Sequence, residues 1–320
     1  MRILLTGATG FIGRRLAEAL SKKGYDVYGL LRSDSFATDL PAHVTFVRGD
    51  LTNRTSLAQV LESTRPDIMA HLAAQTPVRF SFSSPTDYAQ NNYIGTVNLI
   101  NAVIETCPNL QQFVHASTAE VYRPKQGYIR EEDPLFGSTP YGISKAAADF
   151  YVQMSGLAYQ LPYTILRPTN TFGRPFELPE EARGYLVEKA IIQMLTQNES
   201  AFDGNPRPRR CWMHVEDHVA AYLKVIDNPR CVNEIFNVSP NNAQSVGQVV
   251  ATIAELSGFN GEIKWGSCPR PYDPEELCLD GRRLSSLGWR PRYTLREALA
   301  TTIEYWRKKL APLILGVRRA

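Results

Sequence analysis

The opening of the chain constrains its fold more than any other stretch. A short apolar run, Arg2–Leu5, leads directly into Thr6-Gly7-Ala8-Thr9-Gly10-Phe11-Ile12-Gly13, and a helical pattern follows over Phe11–Lys23, ended by Gly24. A strand that turns into a helix through three glycines is the device by which α/β folds hold a pyrophosphate. Gly7 permits the tight turn, Gly10 lets a phosphate approach the backbone, and Gly13 lets helix and strand pack closely. The helix N-terminus then faces the phosphates. The glycines are spaced three and three, not as G-x-G-x-x-G, but the mechanics are similar. Gly7, Thr9, Gly10, Phe11, Ile12 and Gly13 are therefore expected at a dinucleotide cofactor.

The rest of the first half continues the alternation. Strands are expected at Asp26–Leu31, Val44–Val47, Ile68–Leu72, Gln112–Ala116 and Tyr163–Leu166. Helices are expected at Leu57–Ser63, Gly95–Thr106 and Ser144–Tyr159. Such βαβ repetition predicts a doubly wound parallel sheet with helices on both faces. After Pro168 the texture changes to Pro/Gly-rich loops around one helical stretch, Gly184–Thr196. A helix at His218–Ile226 and a strand at Ile235–Val238 suggest a return to the sheet. Further helices are expected at Ser245–Ser257, Arg282–Ser286 and Leu295–Leu310. The expected division is 1–167 plus about 212–240 as the cofactor domain. Residues of about 168–211 plus 241–320 would form a smaller C-terminal α/β substrate lobe.

Composition narrows the function classes. Lys+Arg 35 against Asp+Glu 32 gives +3 over 320 residues. That is too small for a nucleic-acid binder that neutralises many phosphates, and it offers nothing to an anionic membrane. No apolar run approaches the ~20 residues needed to span a bilayer, and the N-terminal strand is too short for a signal-peptide core. Cys107, Cys211, Cys231, Cys268 and Cys278 are odd in number and widely spaced, which argues against a disulfide framework or structural zinc. A reducing, cytoplasmic setting is expected, in which the sequons at Asn53, Asn198 and Asn237 carry no meaning.

The end of the second strand bears on cofactor type. NAD binders usually place a carboxylate there for the ribose 2′-hydroxyl. Here Leu31 is followed by Arg32 and Ser33, and Arg32 can pair with a 2′-phosphate. NADP is preferred over NAD; the alternative is that Asp34 serves the ribose. Asp50 and Leu51, after the third strand, suit the adenine end.

Tyr141-Gly142-Ile143-Ser144-Lys145 is the second anchor. Thr139 can cap a helix whose first position is Pro140, which sets Tyr141 and Lys145 at i and i+4 on one face. An ammonium beside a phenol favours the phenolate. A tyrosine tuned in this way can take a proton from a hydroxyl while hydride leaves the same carbon. The strand before this helix ends in His115-Ala116-Ser117-Thr118-Ala119-Glu120-Val121-Tyr122, at the sheet edge where α/β folds do chemistry. Thr118 can hydrogen-bond the reacting hydroxyl. Glu120 is either a base or a solvated loop carboxylate.

Together these pieces resemble the extended short-chain dehydrogenase/reductases, specifically their NAD(P)-dependent nucleotide-sugar epimerase/dehydratase group. The resemblance runs through TGATGFIG (6–13), GDL (49–51), HLAAQ (71–75), NYIGTVNL (92–99), STAEVY (117–122), YGISK (141–145), LRPTNTFG (166–173), MHVEDHVAAY (213–222) and LGWRPRYTLREAL (287–299). It implies a Rossmann-type sheet and adds Leu72, Ala73, Ala74, Gln75 and Asn92 to the cofactor site, beside Tyr141 and Lys145. It implies a transient oxidation at C4 of a nucleotide-linked hexose, with Tyr141 as base. Dehydratases then use a Glu at the position of Glu120 to remove the C5 proton and lose water from C6; epimerases return hydride to the other face of C4. Ala119 stands where a dehydratase usually has Asp or Ser, and Arg123 where glycine is usual. A 4,6-dehydratase of the GDP-mannose type leads, because residues 25–33 and 49–82 look most like that group. A 4-epimerase comes next, then a 4-keto-6-deoxy sugar reductase. A non-catalytic NADP-binding sensor is the rival outside enzymes; it would typically lack the Tyr/Lys pair. Helices near 95–106 and 144–159 imply a homodimer.

On the substrate side, the resemblance puts Asn170 at the sugar-nucleotide diphosphate and adds Thr76, Thr118 and Lys189. Arg210 and Arg270 are candidate phosphate clamps, since guanidinium pairs bidentately with phosphate. Asp273 and Glu276 are expected to order the loop around Arg270. His214 and His218 lie four apart at a helix start, but no third ligand accompanies them and no metal is expected.

Overall fold

The computed structural model describes residues 1–32, 43–173, 185–267 and 271–314. The first half runs β1 (Arg2–Thr6), α1 (Phe11–Lys22), β2 (Asp26–Leu31), β3 (Thr45–Arg48), α2 (Arg54–Thr64) and β4 (Ile68–His71). It continues with the short helices α3 (Val78–Ser81) and α4 (Pro85–Tyr88), a π-helical turn Ala89–Ile94, α5 (Gly95–Thr106), β5 (Gln112–Ala116), β6 (Tyr128–Ile129), α6 (Pro140–Tyr159) and β7 (Tyr163–Pro168). The second half holds β8 (Asn170–Phe172), α7 (Leu186–Thr196), β9 (Glu199–Phe202), β10 (Arg209–Arg210), β11 (Trp212–His214), α8 (Val215–Val225) and β12 (Glu234–Val238). Then come β13 (Gln244–Ser245), α9 (Val246–Ser257), β14 (Glu262–Trp265), β15 (Glu276–Leu279), α10 (Arg282–Ser286) and α11 (Leu295–Ile314).

Seven strands form one parallel sheet in the order β12-β7-β5-β4-β1-β2-β3. The order reverses at β1, so a crevice opens beyond the carboxyl ends of β1 and β4. Alternation along the strands sorts the core onto two faces. Ile3, Leu5, Val114 and Leu166 pack under α1 and α8 with Leu16, Leu20, Val219 and Val225. Leu4, Met69, Phe113 and Ile165 pack on the other face against Leu57, Leu99, Ile100 and Val152. The expected strand at Ile235–Val238 does return to the sheet, pairing with β7.

Outside that sheet, α7, α9 and α11 share a separate core of Val187, Ile191, Val249, Ile253, Leu299, Ile303 and Trp306. Ser245 opens α9 with a reciprocal capping box to Gln248, the device that satisfies two orphan donors at once. Small ribbons, β13-β10-β15-β6, β11-β8 and β14-β9, complete the fold. None of the strands in these ribbons is expected from the sequence. The helix expected from Gly95 is preceded by helical backbone that already runs from Pro85 through the π-turn.

Candidate active site

The glycine turn has the close packing its residues imply. Gly7 has φ +71°, and a Cβ on Gly13 would sit 2.0 Å from the Gly7 carbonyl oxygen, so no side chain fits there. Gly10 caps α1 without any side-chain bond, so no side chain of the cap stands between the start of the helix and an anionic ligand. These features fit a dinucleotide pyrophosphate.

Behind the turn, the end of β4 is fixed by a buried relay. Thr96 donates to the Asn92 carbonyl (2.6 Å), so its oxygen accepts from His71 Nε2 (2.9 Å). His71 Nδ1 then accepts from the Thr6 hydroxyl (2.7 Å), whose oxygen receives the Ala73 N–H (3.1 Å). This assignment of tautomer follows from the network. Burial, with Lys145 nearby, lowers the His71 pKa to about 3, so the ring is neutral. Asn92, turned inward by the π-turn, binds Gln75 through both backbone groups (2.8 and 3.0 Å) and donates to Ser144 Oγ (3.0 Å).

The 3₁₀ turn Ala119–Val121 follows β5 and presents Thr118 and Glu120. Thr139 caps α6 by accepting from the Gly142 N–H (2.9 Å). A Cβ on Gly142 would lie 2.4 Å from the Glu120 carbonyl oxygen. That glycine therefore lets the N-terminus of α6 close onto the turn, and the Tyr141 and Thr118 hydroxyls share a hydrogen bond. Tyr88 meets the Tyr141 ring edge-on, with centroids 6.2 Å apart. Burial raises the Tyr141 pKa, and the nearby Glu120 carboxylate raises it further. Burial lowers the Lys145 pKa to about 8, against the pull of Asp149 one turn along.

One cavity of ≈ 680 Å³ joins these pieces. It is bordered by Gly7, Thr9, Gly10, Phe11, Ile12 and Gly13, and by Leu72, Ala73, Ala74 and Thr76. Thr118, Glu120, Tyr141 and Lys145 line the same cavity, as do Asn170, Lys189 and Arg210. Gln75, Asn92, Asp50, Leu51 and the exposed Arg32 do not border it. Asp50 instead accepts from the backbone and hydroxyl of Thr52, and the Leu51 carbonyl accepts from Asn98. Ser33, Asp34 and Arg270 lie outside the described residues.

Asp273 pairs with Arg210 (2.9 Å), and Glu276 with Arg209 (3.6 Å). His214 caps α8 rather than joining His218 as a ligand pair. Among the described residues no three His, Cys, Asp or Glu groups cluster as a metal site, and no helix is long and apolar enough to cross a membrane. Ser117, Glu188, His218 and Tyr222 also line the cavity, and nothing in the sequence places them there. Glu188 is buried and accepts from the Gly173 N–H (2.8 Å). A buried acid on an apolar helix face was the available signal.

Comparison with known proteins agrees with this geometry. The model of the NAD dependent epimerase/dehydratase family matches residues 3–239. A dTDP-D-glucose 4,6-dehydratase of Mus musculus is 28% identical over 323 residues, covering 96% of this chain and 89% of that protein. The UDP-glucose 4-epimerase of Thermotoga maritima, solved with UDP-glucose, superposes with TM-score 0.87 at 28% identity, over 97% of this chain and 100% of that one. The dTDP-glucose 4,6-dehydratase of Bacillus anthracis, solved with NAD, gives TM-score 0.83 at 26% identity over 96% and 97%. The parallel sheet, the glycine turn and the Tyr141/Lys145 pair thus belong to a chain that is a member of the NAD dependent epimerase/dehydratase family.

Proposed function

We propose that this protein oxidises C4 of a nucleotide-diphosphate hexose transiently and then eliminates water, as a 4,6-dehydratase. The observation that carries this reading is Glu120, which borders the cavity beside the Thr118–Tyr141 pair. Gly7, Gly10 and Gly13 would hold the nicotinamide dinucleotide, which would supply the hydride acceptor and donor. Tyr141 takes the C4 hydroxyl proton, Thr118 orients that hydroxyl, and Lys145 favours the phenolate. Oxidation at C4 acidifies the C5 proton, and Glu120 removes it. Arg210, Asn170 and Lys189 face the diphosphate, the chemistry guanidinium suits best. The lobe around α7, α9 and α11 provides this end of the site, and the seven-stranded sheet provides the other.

A second reading, 4-epimerisation, is favoured by one residue. Ala119 is buried and cannot protonate a departing C6 hydroxyl. The relatives named above carry dTDP- or UDP-glucose in their names, so these donors are tested with GDP-mannose, the donor expected from the N-terminal half. Mass spectrometry reads the product. Loss of one water is the expected result, and Glu120→Gln should slow it about 10²–10⁴-fold. An isobaric product formed equally well by Glu120→Gln would replace dehydration with epimerisation. Running the panel with NADP and NAD tests the preference proposed from Arg32.

The partner we propose is a second copy. Ile143, Phe150, Met154 and Leu157 lie on one exposed side of α6, with Leu157 at 89% exposure. An apolar stripe of this kind on a soluble protein marks an interaction surface. Light scattering should give twice 35.9 kDa for the wild type and that mass alone for Leu157→Glu; a monomeric wild type would reject the pairing. The wide spacing and odd number of the cysteines support a cytoplasmic setting.

A further inference from the structure

Three residues that line the cavity each carry a buried polar atom with no hydrogen-bond partner within the protein: Ser117 Oγ, His218 Nε2 and Tyr222 Oη. Two of them belong to one unit. His218 and Tyr222 are a turn apart on α8, with rings stacked at 5.3 Å and 22°. The orphans are specific in kind. Thr171 Oγ1 donates to the Thr169 carbonyl (3.2 Å) and also contacts His218 Nδ1 at 3.0 Å. A hydroxyl has one proton, so both contacts hold together only if Nδ1 carries the hydrogen. Nε2 is then a bare acceptor. Burial lowers the His218 pKa to about 3, so that nitrogen stays unprotonated. Tyr222, whose pKa burial raises, keeps its proton and is a donor.

We propose that His218 and Tyr222 recognise the primary carboxamide of the cofactor's nicotinamide ring. An acceptor beside a hydroxyl donor complements a group that carries N–H and C=O on one carbon: the amide N–H₂ donates to His218 Nε2, and the amide oxygen accepts from Tyr222 Oη. The location agrees. His218 and Tyr222 line the same cavity as the glycine turn and Tyr141, and Tyr141 lies near enough to oppose ionisation of Tyr222. Hydride transfer needs the nicotinamide ring against the carbon whose hydroxyl Tyr141 holds, and the carboxamide sits on the ring carbon next to the reacting one. A buried acceptor left unmade costs more than the bond returns, so the pair contributes to choosing how the ring sits. The inference rests on the reading of the cavity as a nicotinamide dinucleotide site.

The test is binding, measured by calorimetry with NAD⁺ and NADP⁺, each against its 3-acetylpyridine analogue. The analogue keeps the carbonyl and replaces –NH₂ by methyl. The wild type should prefer the carboxamide by about three- to tenfold, the effect of one neutral hydrogen bond. His218→Leu keeps the volume and removes the acceptor, so it should weaken the natural dinucleotide until the preference disappears. Tyr222→Phe should weaken dinucleotide and analogue alike, because both keep the carbonyl. A preference unchanged in His218→Leu, as when the orphans hold a trapped water, overturns the proposal. Should His218→Leu not fold, Tyr222→Phe decides, since it removes one oxygen and preserves the ring; unchanged affinity for both ligands then overturns it. A wild type that binds no dinucleotide refutes the underlying reading instead.

Discussion

Tyr141→Phe should lower turnover about 10²–10⁴-fold while leaving dinucleotide affinity and thermal stability close to wild type. The substitution removes one oxygen from a ring that Tyr88 and the end of α6 hold in place. Thr118 loses its partner, but it lies on the cavity wall, where water can replace the phenol. The large effect comes from the environment. Burial and the nearby Glu120 both raise the Tyr141 pKa, so the phenolate that Lys145 favours in the proposed mechanism is a strong base toward the substrate hydroxyl. Phenylalanine can take no part in that exchange. Rate loss should appear in kcat with the donor that the wild type turns over, with unaltered cofactor titration as the control. Turnover retained within a few-fold would remove Tyr141 from the proton transfer.

Those residues were legible in the sequence for a physical reason: each signal was local. A glycine turn between strand and helix, or Tyr141 and Lys145 four apart behind Thr139-Pro140, is complete within a dozen residues. The parallel sheet was legible because buried strands such as Ile68–His71 and Gln112–Ala116 are apolar runs. What was not legible depends on distant partners. The small ribbons pair two- to four-residue strands, such as Arg209–Arg210 with Glu276–Leu279, and nothing in so short a run announces pairing. Pro85–Ile94 lacks an apolar period, so its helical backbone and the inward turn of Asn92 were missed. Asp273 bonds Arg210, 63 positions away, a partner that nothing local to either residue announces. His218 received no role from the sequence, which does not show Thr171 occupying its Nδ1.

Arg167→Met should cost about 3–5 kcal/mol of stability, because it leaves a buried charge without its partner. Arg167, only 2% exposed, donates from Nε to Asp149 Oδ2 (2.7 Å) and from Nη1 to Tyr122 Oη (2.8 Å) and the Glu131 carbonyl (3.2 Å). Tyr122 in turn donates to Asn237 Oδ1 (2.8 Å), and Asn237 Nδ2 donates to the Ile129 carbonyl (2.9 Å). One guanidinium thus ties β7 to α6, β6 and β12. Without it, Asp149 keeps only the neighbourhood of Lys145 and the neutral His115, whose Nε2 stands 3.7 Å away. Urea unfolding measures the cost, and a loss under about 1 kcal/mol would show the pair to be inert. The double variant Arg167→Met, Asp149→Leu should recover much of that loss, since apolar replacement of a whole buried pair is often neutral. Additive losses would refute this. Activity should not recover with stability. Asp149 opposes the burial that lowers the Lys145 pKa to about 8, so its removal drives Lys145 toward the neutral amine at that pH. The ammonium is present below its pKa and lost above it, so the rate deficit should shrink as pH falls and grow as pH rises. A folded double variant with a wild-type pH profile would show Asp149 to be purely structural. The shifted profile would show that this buried charge is kept for the proton chemistry of Lys145 and Tyr141.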